Sequence, residues 1–311
     1  MVQIDPVQAQ TISAEAAAHI AANSPIAIPD PQLTQQFADQ LNAQLDALNG
    51  PFLSALRRNL RLSVRGRAID GVPVVRIRPR KIRRSRRDVA GIFVHGGGFA
   101  LLNARDYVAY RMAHALGIVV YSVDYRRSPR AQFPVALDQT ARVHRAILRR
   151  YDGVVAAGSS AGANLLVSSV LRARRRGGLL PRAAALLEPA VDLRAIGDSY
   201  VANDGRDPLA SRDTILKFSS AYLGATPAVA PEASPLLADF GPGFVPTIIT
   251  SGTRDLLQSD AARLHRALLR ADVPADLRVW EGMWHAFAGV PGLPEGEQAM
   301  AEVFGFLDRH L

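Results

Sequence analysis

The segment Gly158-Ser159-Ser160-Ala161-Gly162 constrains this chain more than any other. It stands between an apolar run, Val154 to Ala157, and a helix-compatible run that begins at Ala163. A serine held between small residues at a strand-to-helix junction reads as a tight, strained turn that lifts its hydroxyl out at the end of a sheet. Gly158 and Gly162 leave room for the helix to start beside the strand. Alone, such a pentapeptide also arises by chance in Gly- and Ser-rich chains, so its partners decide its meaning.

A serine hydroxyl is a weak nucleophile at neutral pH and needs an adjacent base. The chain has 7 histidines. His19, His114, His144 and His265 fall in helical patterns, His95 opens a glycine run, and His310 is at the end of the sequence. His285 remains, in a Gly-containing loop after the strand Ala275 to Trp280. The acid that orients it should lie between serine and histidine. Asp255, directly after the apolar run Val245 to Thr250, fits best. Asp260 is the rival and reads as a cap or solvent-facing group at the start of the next helix. Asp255 would hold the neutral imidazole in one tautomer and stabilise its charged form.

His95-Gly96-Gly97-Gly98 follows the strand Ala90 to Val94. Acyl transfer places negative charge on a carbonyl oxygen, and glycines let backbone N–H groups approach it closely. Gly97 and Gly98 are the expected donors, with the Ala161 N–H as the third. His95 is expected to shape the loop and to transfer no proton.

Around these motifs, strands and helices alternate. Strands at 90–94, 118–123 and 154–157 are followed, in turn, by helices at 107–116, 135–151 and 163–176, and a fourth strand at 183–187 ends at Glu188-Pro189. Later come a strand at 245–250, a helix at 259–271, a strand at 275–280 and a helix at 297–309. Such βα repetition predicts an α/β fold, a mostly parallel central sheet with helices on both faces. Two earlier strands flank Ile69-Asp70-Gly71. Before them, Pro29-Asp30-Pro31 separates helical patterns at 14–22 and 32–48. Leu33, Phe37, Leu41, Leu45 and Leu48 form one apolar stripe of the second.

Together these features resemble the bacterial hormone-sensitive-lipase-like esterases of the α/β-hydrolase fold. The resemblance spans roughly residues 60 to 311. It rests on His95 to Gly98, Asp124-Tyr125-Arg126, Phe133-Pro134, Gly158 to Gly162, Asp192-Leu193, Gly252 to Asp255 and Glu281 to Phe287. The chain order Ser160, Asp255, His285 is the order of that fold. The resemblance implies a serine esterase for short to medium acyl chains, with no cofactor and no metal. Ser160 would be the nucleophile, Asp255 the acid and His285 the base, with Gly97, Gly98 and Ala161 as the oxyanion donors. It also implies a helical cap, from an N-terminal segment at 1–55 and an insertion at about 191–242, on a catalytic domain spanning 56–311. Homodimers are common among such relatives. Lactone hydrolysis and amidase chemistry use the same triad, and a ligand-binding protein could keep the fold without turnover. Ser159 stands where these enzymes usually carry Asp, Arg127 to Arg130 replace Leu-Ala-Pro-Glu, and Glu188-Pro189 replaces Ser-Pro.

Composition adds limits. With 0 cysteines among 311 residues, thiolate catalysis and cysteine metal sites are excluded. The opening residues lack a basic segment and a continuous apolar stretch, and no run is long enough to span a bilayer, so a cytoplasmic protein is expected. The net charge of +9 comes largely from Arg57 to Arg87 and Arg172 to Arg176. No nucleic-acid reading motif accompanies these clusters. Lys81 to Arg87 reads as a solvated turn, Arg172 to Arg176 as a helix end favoured by its dipole, and no specific nucleic-acid partner is expected. Asp124 and Arg126 suggest a structural ion pair or a loop clamp.

Overall fold

The computed structural model describes residues 4–29 and 31–311. Asp30, in the expected break between the first two helices, and residues 1–3 of the N-terminal segment lie outside them.

An eight-stranded sheet has the order β1-β2-β4-β3-β5-β6-β7-β8. Strands β1 (Leu62–Ile69) and β2 (Val72–Pro79) form a hairpin with Ile69 opposite Val72. Asp70 and Gly71 both have positive φ, as a two-residue hairpin turn with the right twist requires. Strand β2 runs antiparallel to β4 (Val119–Val123); β3 (Val89–Val94) lies between β4 and β5 (Gly153–Ser159), and every later pairing is parallel. Strands β6 (Ala183–Leu187), β7 (Thr247–Gly252) and β8 (Ala275–Trp280) complete the sheet. Strand β7 begins two residues later than the apolar run suggests because Pro246 has no N–H for the ladder.

Side chains alternate across the sheet and build two cores. Ala90, Ile92, Val154, Ala156 and Leu186 pack with helices α4 (Val135–Arg150), α5 (Ala161–Arg175) and α8 (Gln258–Arg270). Phe93, Val155, Ala157 and Leu187 pack with α1 (Ala14–Ala22), α3 (Tyr107–Leu116) and α9 (Pro294–Asp308). The chain leaves β3 toward β4 and returns on the other side as β5. Ligands bind at such a switch point, outside the carboxyl ends of the strands.

Helix α2 (Gln35–Asn59) is longer than its sequence pattern suggests and runs through Gly50 and Pro51. Proline lacks one N–H, a loss the packing on both sides overrides. Before it, Phe37, Leu41 and Leu45 join Ile28, Leu33 and Ala38 in a small cluster with Leu101 and Phe218; after it, Leu53 and Leu56 pack against the main body. The expected stripe ends at Leu45, since Leu48 is exposed, and the expected junction at 55–56 falls inside this helix. Phe218 belongs to α7 (Arg212–Leu223), in the insertion after β6, which also holds the short α6 (Ser199–Ala202).

Two expectations need correction. Asp260 is not a solvent-facing cap: it is buried, and its Oδ2 accepts from the Val191 and Asp192 N–H groups at 3.0 and 2.9 Å. Those amides leave the sheet without strand partners, and one carboxylate oxygen satisfies both. Asp124 and Arg126 make no ion pair among the described residues; instead the buried Tyr125 hydroxyl between them donates to the His95 and Gly96 carbonyls at 3.0 and 3.2 Å. Arg172 to Arg176 end a helix as expected, and Arg172 also turns inward and pairs with Asp138 and Glu232, tying α5 to α4 and to the insertion.

Candidate active site

Ser160 sits between β5 and α5 with φ 51° and ψ −116°, a conformation that side chains rarely adopt. Backbone bonds hold it: its N–H donates to Leu187 O at 2.8 Å, and its carbonyl accepts from Asn164 N at 3.2 Å and Ala190 N at 3.3 Å. The Asn164 side chain braces the same region by donating to the Ala190 and Ala233 carbonyls. The glycines are required by close backbone approach. A Cβ on Gly158 would lie 2.7 Å from Gly162 O, and one on Gly162 only 2.0 Å from Val94 O.

His285 and Asp255 reach this serine from the loops after β8 and β7. His285 Nε2 lies 2.8 Å from Ser160 Oγ, and His285 Nδ1 lies 3.1 Å from Asp255 Oδ1. The Nδ1–H therefore donates to Asp255, which leaves Nε2 to accept the serine proton. Asp255 is fully buried and held by two further donors, Ser251 Oγ at 2.8 Å and Leu257 N at 2.9 Å. All three side chains are largely shielded from water.

Two buried carboxyl groups near this set were not identified from sequence. Asp207, in the insertion, accepts from the backbone N–H of His285 at 2.9 Å and of Leu256 at 3.3 Å, and from Leu209 and Ala210. It ties the loops of the acid and the base to one point. Nothing local separates it from the other acids of that segment. Glu188, already notable as a departure from Ser-Pro, accepts from Thr250 Oγ1 at 2.8 Å. Burial, reinforced by the Asp255 charge, pushes its pKa up to about 8, so it holds its proton at neutral pH. Burial likewise pushes Asp207 up to about 6.

Burial alone would lower the pKa of His285. The Asp255 hydrogen bond and the charges of Asp255 and Asp207, joined by Glu188 once it ionises near 8, outweigh it and raise the value to about 9. The neutral imidazole is the form that takes a proton, so kcat/KM should climb with pH along a limb above the ordinary 6.5. Asp207→Asn removes one of the raising charges and should move that limb to lower pH. Initial rates across pH 5 to 10 check this; a limb at or below about 6.5 in the unmodified enzyme, or no movement in the variant, contradicts it.

His95 is buried, stacks on Tyr125 at 4.2 Å and donates from Nδ1 to Gly96 O at 2.9 Å. Burial holds its pKa down at about 3, so the ring stays neutral and shapes the loop. Gly97 and Gly98 follow with φ 93° and 58°. Among the described residues, no acceptor takes the N–H of Gly97, Gly98 or Ala161. Gly97 and Gly98 line a cavity of about 820 Å³ together with Ser160 and His285, and Leu45, Leu101 and Phe218 contribute apolar wall. A nucleophile, its base and free donors meeting at one cavity can carry out acyl transfer.

The model of a family described by its α/β-hydrolase fold matches residues 91–289. An acetyl-hydrolase of Streptomyces hygroscopicus is 32% identical over 222 residues, covering 70% of this chain and 74% of its own. Among solved structures, an esterase superposes with a TM-score of 0.87 at 30% identity, covering 99% of this chain and 98% of its own. Another, described as an esterase from the bacterial hormone-sensitive lipase family, has a TM-score of 0.83 at 28% identity and covers 99% of both chains. The chain belongs to the α/β-hydrolase family and is a serine hydrolase, an esterase related to the bacterial hormone-sensitive-lipase-like group.

Proposed function

We propose that this enzyme hydrolyses carboxylic esters of short to medium acyl chain through an acyl-enzyme on Ser160. The observation that carries this reading is the hydrogen-bonded chain Ser160, His285, Asp255, which shares a cavity with Gly97 and Gly98, whose N–H groups have no acceptor among the described residues. Ser160 Oγ attacks the carbonyl carbon while His285 Nε2 takes its proton. The oxyanion is held by the N–H groups of Gly97, Gly98 and Ala161, and Asp255 stabilises the imidazolium. His285 then protonates the leaving alkoxide. Water, deprotonated by the same nitrogen, releases the acid and restores the serine.

The apolar wall of the cavity suits an aliphatic acyl group, and the acetyl-hydrolase relative supports the short end of the range. The segment at 1–55 and the insertion at about 191–242 form the cap in this reading, supported by Ile28, Leu33, Phe37 and Leu41 of the first and Phe218 of the second, which pack with Ala100 and Leu101. A cytoplasmic location without a specific nucleic-acid partner, read from the sequence, and a homodimer, implied by the family resemblance, complete the reading. No helix among the described residues is long and apolar enough to cross a membrane. Lactones present the same carbonyl and belong in the test. A p-nitrophenyl ester series from acetate to a long acyl chain, run beside a lactone and an anilide, should show fastest turnover on short to medium esters. Faster cleavage of the anilide would overturn the ester assignment.

A further inference from the structure

The loop that carries the oxyanion glycines is unusually strained. Besides Gly97 and Gly98, it places Phe99 at φ 62° and Leu102 at φ 65°. Non-glycine residues persist in this region only where the surroundings over-determine them. Within the loop, Gly97 O accepts from Ala100 N at 3.0 Å and Leu101 N at 2.8 Å. That turn ties the glycines to residues 100 and 101, so whatever grips 100 to 102 also sets where the glycine N–H groups point.

Arg127 and Ser128 hold this loop from beside it, and a further grip comes from α2. Asn42, on α2, uses both ends of its side-chain amide on this loop. Its Nδ2 donates to Ala100 O at 2.9 Å and to its own helix at Ala38 O at 2.8 Å. Its Oδ1 accepts from Leu102 N at 2.9 Å and from Arg127 Nη1 at 3.3 Å. Arg127 Nη1 also donates to Leu102 O. One residue further, Asn103 Nδ2 donates to Asp46 of α2 at 2.8 Å. Asn42 touches none of the triad residues and is not among the residues lining the cavity.

We propose that Asn42 is a positioning residue for the oxyanion site: it latches α2 onto residues 100 and 102 and thereby holds the Gly97 and Gly98 N–H groups in their productive direction. This rests on the reaction assigned above. Because the donors act on charge that develops only in the transition state, loss of the latch should lower kcat and leave KM little changed. Removing a single oxyanion donor costs about 100- to 1,000-fold in kcat, so misdirecting the pair should cost about 10- to 100-fold.

The test uses the full chain and the variants Asn42→Leu and Asn42→Asp. The second keeps the acceptor for Leu102 and Arg127 and loses the donor to Ala100. Each is assayed on a short p-nitrophenyl ester and against an aliphatic trifluoromethyl ketone, whose serine adduct carries the oxyanion. The expected result is a kcat loss of about 10- to 100-fold in Asn42→Leu, a Ki for the ketone that rises by a similar factor, and a KM within about threefold. Asn42→Asp should fall between this and the unmodified enzyme, and it carries the test if the leucine variant does not fold. Unchanged kcat in folded variants overturns the proposal. So does a kcat loss with an unchanged Ki, or one matched by KM. Turnover by the unmodified chain that Ser160→Ala abolishes establishes the parent reading separately; no turnover by the unmodified chain defeats both.

Discussion

Ser160→Ala should lower kcat on a good ester substrate by on the order of 10⁵- to 10⁶-fold, the scale seen when a triad serine is removed elsewhere. The triad acts as a unit. Without Oγ, the imidazole of His285 has no nucleophile to activate, and the residual rate falls to what bound water and the oxyanion donors supply. The substitution removes one hydroxyl and one hydrogen bond at a largely buried position. The φ of 51° is as strained for serine as for alanine, so folding should survive. Steady-state kinetics with a melting curve would check both halves. A variant that keeps more than about a hundredth of the activity would mean another nucleophile does the work.

Gly162→Ala should be nearly as damaging through a different cause. The new methyl would stand 2.0 Å from Val94 O and 2.4 Å from His95 O. Both are backbone atoms, one at the end of β3 and the other opening the glycine loop, so no side-chain rotation relieves the clash. Either α5 moves away from β3, which displaces Ser160, or the end of β3 moves, which displaces Gly97 and Gly98. Overpacking against backbone belongs with the most destabilising substitutions, more than about 4 kcal/mol. For a chain of this size that is a fall in Tm of about 6 °C or more. Thermal unfolding followed by circular dichroism reads it directly, and a Tm within about 2 °C of the unmodified protein would show that the contact relaxes freely.

These two positions also show why so much of the site was legible in the sequence. Where backbone must pass backbone, only glycine fits, and the spacing of Gly158 and Gly162 around Ser160 therefore reports a geometry and not a composition. The histidine was reached by elimination among few candidates, and the acid by its place after a strand. The parallel sheet followed from repeated apolar runs and helical periods. What sequence missed shares another property. Asp207 and Asn42 act through bonds to residues 78 and 60 positions away. No local pattern marks a polar residue whose partners are set by the finished fold. Asp260 was misread for the same reason, because its first-turn position suggests a cap while its partners lie 69 and 68 residues back. The length of α2 escaped because Pro51 is a local stop signal that two packing surfaces override.

The central claim, that Ser160 is the atom source of an acyl-enzyme, is tested most directly by covalent labelling. An alkyl fluorophosphonate transfers its phosphonyl group to an activated serine Oγ, with fluoride leaving and the serine proton passing to the base. Mass spectrometry of the intact chain should show a single adduct as activity disappears. Fragmentation of the peptide spanning residues 151–172 should place it on Ser160 and not on Ser159, Ser168 or Ser169, and Ser160→Ala should take up none. An adduct on any other residue, or an active enzyme that the reagent neither labels nor inhibits, would contradict the account.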